Sequence, residues 1–285
     1  MSFKAAAVQM CSGVDPAKNA AAMARLVREA AAQGATYVQT PEMTGMLQRD
    51  RAAARAVLAD EAHDIIVKTG SELAVELGIH MHVGSTAIAL ADGKIANRGF
   101  LFGPDGRILN RYDKIHMFDV DLDNGESWRE SAAYTAGSEA RVLSLPFAEM
   151  GFAICYDVRF PALFRAQAMA GAEVMTVPAA FTKQTGEAHW EILLRARAIE
   201  NGVFVIAAAQ AGRHEDGRET FGHSMIIDPW GTVLASAGAT GEAVIVAELD
   251  PAAVKAAHDK IPNLRNGREF SVEKIAGAVA GGVAA

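Results

Sequence analysis

The 285-residue chain is 51% hydrophobic and 21% charged, enough apolar material for a substantial core and too much for a chain that stays disordered. Its 27 basic and 34 acidic residues leave a net charge of −7, which excludes the basic footprint of a nucleic-acid binder and offers nothing to an anionic membrane. The two cysteines, Cys11 and Cys155, are far apart with no CxxC, so neither a disulfide framework nor a zinc knuckle is expected; no apolar stretch reaches bilayer length, and a cytoplasmic protein is the expectation.

In chain order, the apolar residues 3–10 predict a buried strand, and Asp15-Pro16, an N-cap followed by an N1 proline, opens a helix to about Gln33 that Gly34 stops. Residues 37–39 predict a short strand. The Ala- and Arg-rich residues 51–77 have helical composition up to Gly78, and residues 80–90 predict a strand. Residues 99–112, GFLFGPDGRILNRY, and 223–236, HSMIIDPWGTVLAS, each place a Pro/Asp/Gly turn between apolar strands. Between these hairpins come a strand over 152–154 ending at Cys155, a helix over 161–170, a strand over 173–178, a helix over 189–201 and a strand over 203–209. The chain thus passes twice through α/β units and a hairpin, which suggests two similar sheets packed face to face with helices outside, a four-layer α-β-β-α sandwich of mixed sheets. A single doubly wound sheet is the alternative, because element order alone does not determine layering. Residues 1–272 are expected to form one domain, followed by a tail over 273–285 that is flexible or packs on a partner subunit.

Reactive side chains in α/β proteins gather at the carboxyl ends of strands. Three occur there: Glu42 in TPEMTG, Lys114 in RYDKIH, and Cys155 in GFAICYDVRF. Their chemistry is coherent. A thiol is mostly protonated at neutral pH and needs a base, which Glu42 supplies; an acyl-transfer intermediate carries an oxyanion, for which Lys114 and the amide of Tyr156 are candidates. Taken singly, each has an ordinary structural reading: a core cysteine, a solvated acid, a surface lysine. Arg159 is a candidate clamp for a substrate carboxylate, with pairing to Asp157 or another buried acid as the alternative. His116 is a candidate pocket residue. His80 and His82 sit two apart on a strand without an HExxH pattern or clustered acids, so packing is expected there and no metal site.

The run of motifs AAVQM, PEMTG, YDKIHMFDVD, CYDVRFP, AGAEVMTVPAAFT, RARAIENGVFVIAAAQ and GHSMIIDPWGTVLA resembles the carbon-nitrogen hydrolase (nitrilase) superfamily over nearly the whole chain. The resemblance implies the αββα sandwich, Glu42 as general base, Lys114 as oxyanion stabiliser and Cys155 as the nucleophile that forms a thioester. It also implies an auxiliary glutamate, placed at Glu130 of WRES with Glu126 as the competing position. Tyr156-Asp157 after the cysteine resembles the Nit-type amidases, where nitrilases carry Trp-Glu. The segment HEDGRETFGHSMIIDPWG is closer to the deaminated glutathione amidase type than to the omega-amidase type, whereas Ala162 and IPNLRNGREF depart from the pattern.

The expected activity is hydrolysis of a linear amide in a small carboxylate-bearing molecule, with Tyr156, Arg159 and His116 on the substrate and no cofactor or metal. A nitrilase or N-carbamoyl hydrolase using the same triad, and a degenerate binding member, are the alternatives. In the resembling family, helices such as HWEILLRARAIENG pack across a two-fold axis, so a homodimer or larger homo-oligomer is expected.

Overall fold

In the computed structural model, which describes residues 1–121, 125 and 127–275, the first half of the chain runs β1 (Phe3–Gln9), α1 (Pro16–Ala32), β2 (Tyr37–Gln39), α2 (Arg51–Val57), α3 (Ile65–Leu77), β3 (His80–Ala89), β4 (Ile95–Phe102) and β5 (Ile108–Asp113). A small hairpin, β6 (Asp119–Asp121) and β7 (Ser127–Arg129), leads to the second half. That half comprises β8 (Val142–Ser144), β9 (Glu149–Phe152), α4 (Pro161–Met169), β10 (Val174–Thr176), α5 (Lys183–Asn201), β11 (Phe204–Ala207), the hairpin β12 (Ala211–Arg213) and β13 (Glu219–Phe221), β14 (Met225–Ile227) and β15 (Val233–Ser236). Strand β16 (Ala243–Leu249) and α6 (Ala252–Lys260) complete it.

Two six-stranded mixed sheets result, in the orders β16-β1-β2-β3-β4-β5 and β15-β14-β11-β10-β9-β8. Side-chain parity shows how they are covered. In the first sheet Ala5, Ala7, Tyr37 and Leu101 join a core shared with Met150, Phe152 and Val174 of the second. Their neighbours Ala6, Val8, Val38, Phe100 and Phe102 instead pack with Met23, Leu26 and Val27 of α1 and Ile66 and Leu73 of α3. Period-two alternation with both faces apolar is what a sheet buried on both sides requires. Contacts between the sheets are direct: His82 meets the Phe152 ring edge-on at 5.5 Å, and Phe3 lies 4.3 Å from Phe147. The architecture is the expected four-layer α-β-β-α sandwich.

Two expectations need correction, and one strand has to be added. Residues 51–77 form two helices, because the Asp64 carboxylate accepts from the Ile66 and Val67 amides at 2.9 Å and starts a new helix there. Helix α5 begins six residues earlier than the sequence suggests: Gly186 permits α5 to press against Phe221, where any Cβ would collide with the ring. Strand β16, which the sequence reading passed over, returns to the first sheet and pairs antiparallel with the whole of β1, from Phe3↔Leu249 to Gln9↔Ala243. Of the expected tail, residues 276–285 lie outside the described residues; Phe270, Val272 and Ile275 just before them are exposed.

Candidate active site

Glu42, Lys114 and Cys155 come from three different places in the chain and meet at the carboxyl ends of the parallel strands β2 and β9 and just past β5. Each is positioned by backbone that its neighbours hold. Strand β3 bulges between Val83 and Thr86, and the bulge cradles the TPEMT turn. There the Gly84 amide donates to Thr40 Oγ1 (3.1 Å), the Met43 amide to Ser85 Oγ (3.0 Å) and the Thr44 amide to the Ser85 carbonyl (2.8 Å). Gly84 is required: a Cβ would meet the carbonyl oxygens of Thr40 and Pro41 and the ring of Pro178.

Cys155 follows β9, whose hydrogen bonding to the next strand continues through the Ala153 amide to the Thr176 carbonyl and the Cys155 amide to the Pro178 carbonyl (3.1 and 2.9 Å). The chain then enters a 3-10 turn over Cys155–Arg159, with Cys155 itself at φ +49°. Among the described residues only three non-glycine residues have positive φ; Cys155 is one and Met43, next to Glu42, is another (+54°). Such conformations cost on the order of 1–3 kcal/mol and persist where surroundings impose them. Here the lock is Asp157, fully buried, which accepts from the Ile154 amide (2.8 Å), Tyr112 Oη (2.8 Å) and the His116 amide (3.0 Å) and pairs with His116 Nδ1 (2.7 Å).

Lys114 Nζ donates to Glu42 Oε1 (2.9 Å) and to Glu130 Oε1 and Oε2 (3.0 and 2.8 Å). Asn97 Nδ2 joins the same two carboxylates, at 2.9 Å from Glu42 Oε1 and 3.3 Å from Glu130 Oε1. The Ala180 amide donates to Glu42 Oε2 (2.8 Å) and the Phe118 amide to Glu130 Oε2 (2.7 Å). The Cys155 thiol lies near enough to Glu42 for each to shift the other's protonation.

Burial and charge set the protonation states. Burial alone would raise the Glu42 carboxyl, but the Lys114 ammonium, the neighbouring Cys155 thiol and the hydrogen bonds from Lys114 and Ala180 overcome it and hold Glu42 below the ordinary glutamate value. Burial likewise opposes the Lys114 charge, and Glu130 and Glu42 together drive its pKa well above the ordinary lysine value. Cys155 goes the other way: burial, then the Glu42 charge, push the thiol well up. The resting site is therefore a neutral thiol beside an ionised carboxylate and a charged ammonium, which suits proton transfer to Glu42 during attack rather than a preformed thiolate.

These residues line a cavity of about 610 Å³, together with Tyr156, Phe118, Trp128, Tyr134 and Phe181. That is ample for a small organic substrate. Tyr156 is where the sequence placed it. Arg159 and His116, expected on the substrate, are not in the lining. Arg159 lies behind two lining rings, 6.0 Å from the Tyr156 centroid and 5.2 Å from that of Phe181, with Nη1 3.2 Å from His189 Nδ1; it does not pair with Asp157, whose oxygens are taken. His116 stacks on Phe160 at 3.5 Å and braces Asp157. Glu126, the competing auxiliary acid, lies outside the described residues.

The sequence reading missed Asn97, whose signal was a lone amide in the apolar strand IANRGFLF, and the arginines of the cavity wall, which carry no local signal. Among the described residues, no group of three or more His, Cys, Asp or Glu side chains is arranged to hold a metal ion. None of their helices is long and apolar enough to cross a membrane.

Comparison with known proteins agrees with this geometry. The family model for carbon-nitrogen hydrolases matches residues 4–259. A deaminated glutathione amidase from Yersinia enterocolitica is 38% identical over 271 residues, 93% of each chain. The NitFhit protein of C. elegans superposes with a TM-score of 0.86 at 32% identity, over 94% of this chain and 65% of the other. A mutant of the amidase from Nesterenkonia sp. AN1, seen with acrylamide added at its active site cysteine, superposes at 0.74 with 25% identity over 93% of this chain and 99% of that one. A buried Glu, Lys and Cys converging at the strand ends of an αββα sandwich, under a family match of this extent, places the chain in the carbon-nitrogen hydrolase family.

Proposed function

We propose that the protein is an amidase that hydrolyses a linear amide of a small carboxylate-bearing molecule through a thioester on Cys155, with deaminated glutathione as the first candidate substrate. The observation that carries this is the setting of Glu42: it accepts from the Lys114 ammonium, the Asn97 amide and the Ala180 amide, with the Cys155 thiol close enough to feel its charge. One carboxylate is thereby positioned to take the thiol proton while a fixed cation waits beside it.

In the reaction, Cys155 Sγ attacks the amide carbon as its proton passes to Glu42, and the carbonyl π electrons move onto oxygen. Lys114 Nζ and the Tyr156 amide stabilise that oxyanion; a preorganised donor of this kind is worth about 10²–10³ in rate. The C–N bond then breaks as Glu42 returns the proton to the departing nitrogen, leaving the thioester. Water enters, Glu42 takes its proton, and collapse of the second tetrahedral intermediate releases the acid and restores the thiol. Glu130 and Asn97 hold Lys114 and Glu42 in place throughout.

The names of the relatives support an amide as the bond cleaved and give no support to a nitrile, a carbamoyl group or a degenerate binding role. Deaminated glutathione keeps the carboxylates at both ends of glutathione, which suits a cavity lined by several arginines. The same reading includes residues 1–272 as one domain, a cytoplasmic setting and a homodimer or larger homo-oligomer, for which Ile192 and Ile199 of α5 and the nearby Trp230 offer exposed apolar surface. Light scattering tests the last point. The mechanism is tested by Cys155→Ala, expected to abolish amide hydrolysis, and by intact-protein mass spectrometry with a slow substrate, expected to show an acyl group on Cys155. An adduct on Cys11, or an active Cys155→Ala protein, would refute the mechanism.

A further inference from the structure

The turn that presents Glu42 is gripped from both sheets. Strand β3 holds its Met43 and Thr44 amides, whereas its carbonyl oxygens are held by Gln210, a fully buried residue just past β11 of the second sheet. Gln210 Nε2 donates to the Glu42 carbonyl at 3.1 Å and lies 3.4 Å from that of Met43, the residue at φ +54°. It also donates to Ser12 Oγ at 2.8 Å, and that hydroxyl gives its own hydrogen to the Thr44 carbonyl at 3.0 Å. The Ser12 amide closes the ring by donating to Gln210 Oε1 at 3.0 Å. The carbonyls of Glu42, Met43 and Thr44 thus answer to one glutamine and the serine it fixes, and both ends of that buried amide are satisfied.

The backbone of Gln210 reaches the other side of the cavity. Its amide donates to the Ala179 carbonyl at 2.8 Å, between the Pro178 carbonyl that accepts from the Cys155 amide (2.9 Å) and the Ala180 amide that donates to Glu42 Oε2 (2.8 Å). The carboxylate of Glu42 is therefore set by Ala180 and its main chain by Gln210, and both rest on the segment beside Cys155. Met10, just past β1, pairs with Gln210 and joins the two sheets at this point, with the Ala211 amide donating to the Met10 carbonyl at 2.8 Å. Gln9 offers a contrast. It is as deeply buried, yet its amide nitrogen donates to the Gly238 and Gly241 carbonyls (2.9 and 3.0 Å) and its oxygen accepts from the Ser224 amide (3.0 Å), residues that do not line the cavity.

We propose that Gln210, together with Ser12, is a positioning residue for the reaction: it fixes the main chain of Glu42 relative to Cys155, so that the carboxylate meets the thiol and the Lys114 ammonium in reactive register. The proposal rests on the amidase reading above and extends the machinery to a residue outside the cavity lining. A misplacement of about 1 Å caused by a change away from the reacting atoms costs on the order of 10²-fold in rate.

The test compares the wild type with Gln210→Met, which keeps the length of the side chain and removes its hydrogen bonds, with Ser12→Ala, and with Gln9→Met as a control for stability alone. The readouts are kcat and KM on deaminated glutathione, the acid limb of kcat/KM, Tm, and the rate of acrylamide addition at Cys155. Mass spectrometry of the digested protein separates that adduct from one on Cys11, and it requires no natural substrate. Gln210→Met is expected to lose about 10–100-fold in kcat with KM changed less than about 3-fold, and a similar factor in acrylamide addition. Its acid limb should move upward as Glu42 slips from Lys114 and the Ala180 amide. Ser12→Ala should show the same changes in weaker form, and it decides where Gln210→Met does not fold. Gln9→Met should lower Tm and leave kcat, the acid limb and the acrylamide rate as they are. Wild-type kcat and acid limb in Gln210→Met and Ser12→Ala, or losses that Gln9→Met matches at an equal fall in Tm, would overturn the positioning role. A wild type that adds acrylamide at Cys155 but does not turn over deaminated glutathione would overturn that substrate instead, and the acrylamide rates then decide the role of Gln210. A wild type whose Cys155 reacts with neither compound would overturn the amidase reading, and the positioning role with it.

Discussion

Glu42 meets two competing demands at the residue scale. It is buried, which penalises its charge, and yet the base role proposed for it needs it ionised; the Lys114 ammonium and hydrogen bonds from Lys114, Asn97 and Ala180 favour the charge. The expected consequence is a kcat/KM profile whose acid limb falls below the ordinary glutamate value of about 4.5, with no fall on the alkaline side near pH 9, since Cys155 and Lys114 are both raised. Removing the amide donor in Asn97→Leu lets Glu42 and Glu130 repel one another more strongly and should move that acid limb upward. An acid limb at pH 6 in the wild type, or an unmoved one in Asn97→Leu, would contradict this account of the charge balance.

At the scale of elements, the reactive groups sit on short connections and owe their placement to the strands beneath. The β3 bulge carries the Glu42 turn, and the point of closest approach is Gly84, enclosed by Thr40, Pro41 and Pro178. Pro178 lies on the segment that also presents the Ala180 amide to Glu42 and accepts from the Cys155 amide, so one residue touches the supports of both Glu42 and Cys155. Gly84→Ala is accordingly expected to cost about 1–3 kcal/mol in stability through overpacking and to lower kcat well beyond what the stability loss explains. Thermal unfolding and steady-state kinetics on the purified variant check this. An unchanged Tm with full activity would show that the bulge has room to relax.

For the whole molecule, the interface between the two sheets contains a titratable pair that the chemistry does not use. His82 is buried against Phe152, with Nδ1 2.7 Å from Tyr37 Oη, and burial lowers its pKa to about 3. The sign follows directly. Below the ordinary histidine value of about 6.5 the unfolded chain binds a proton that the folded protein refuses until about pH 3, so stability falls as pH falls through that window. The slope approaches about 1.4 kcal/mol per pH unit for one such group. His80 and His214 are shifted in the same direction by burial and add to it. Denaturant unfolding between pH 7 and 4 should give a flatter profile for His82→Gln than for the wild type, even though the variant is less stable at pH 7. Parallel profiles would mean that the pair does not couple the sandwich to pH.

Most of the α/β rhythm was legible because it is local. Asp15-Pro16 and Gly78 mark helix ends in a few residues, and the two Pro/Asp/Gly hairpins stand where their turns demand. Cys155, Glu42 and Lys114 stood out as candidates because each is a reactive residue at a strand end, whereas Glu130 was named only through the family resemblance, with Glu126 as its competitor. What the sequence could not reveal depends on distance across the fold. Strand β16 pairs with β1, more than two hundred residues away, and Asp157 looks like a partner for Arg159 until Tyr112 and His116 are seen to fill its oxygens. Arg49, Trp128 and Arg218 are unremarkable in three separate segments and become a pair of cations on one ring only when β7 and the turn before β13 are folded together. Residue type and local spacing determined which reactive groups this chain carries; the tertiary structure decided which of its charges face the same cavity, because only folding sets the distances and burial on which their interaction energies depend.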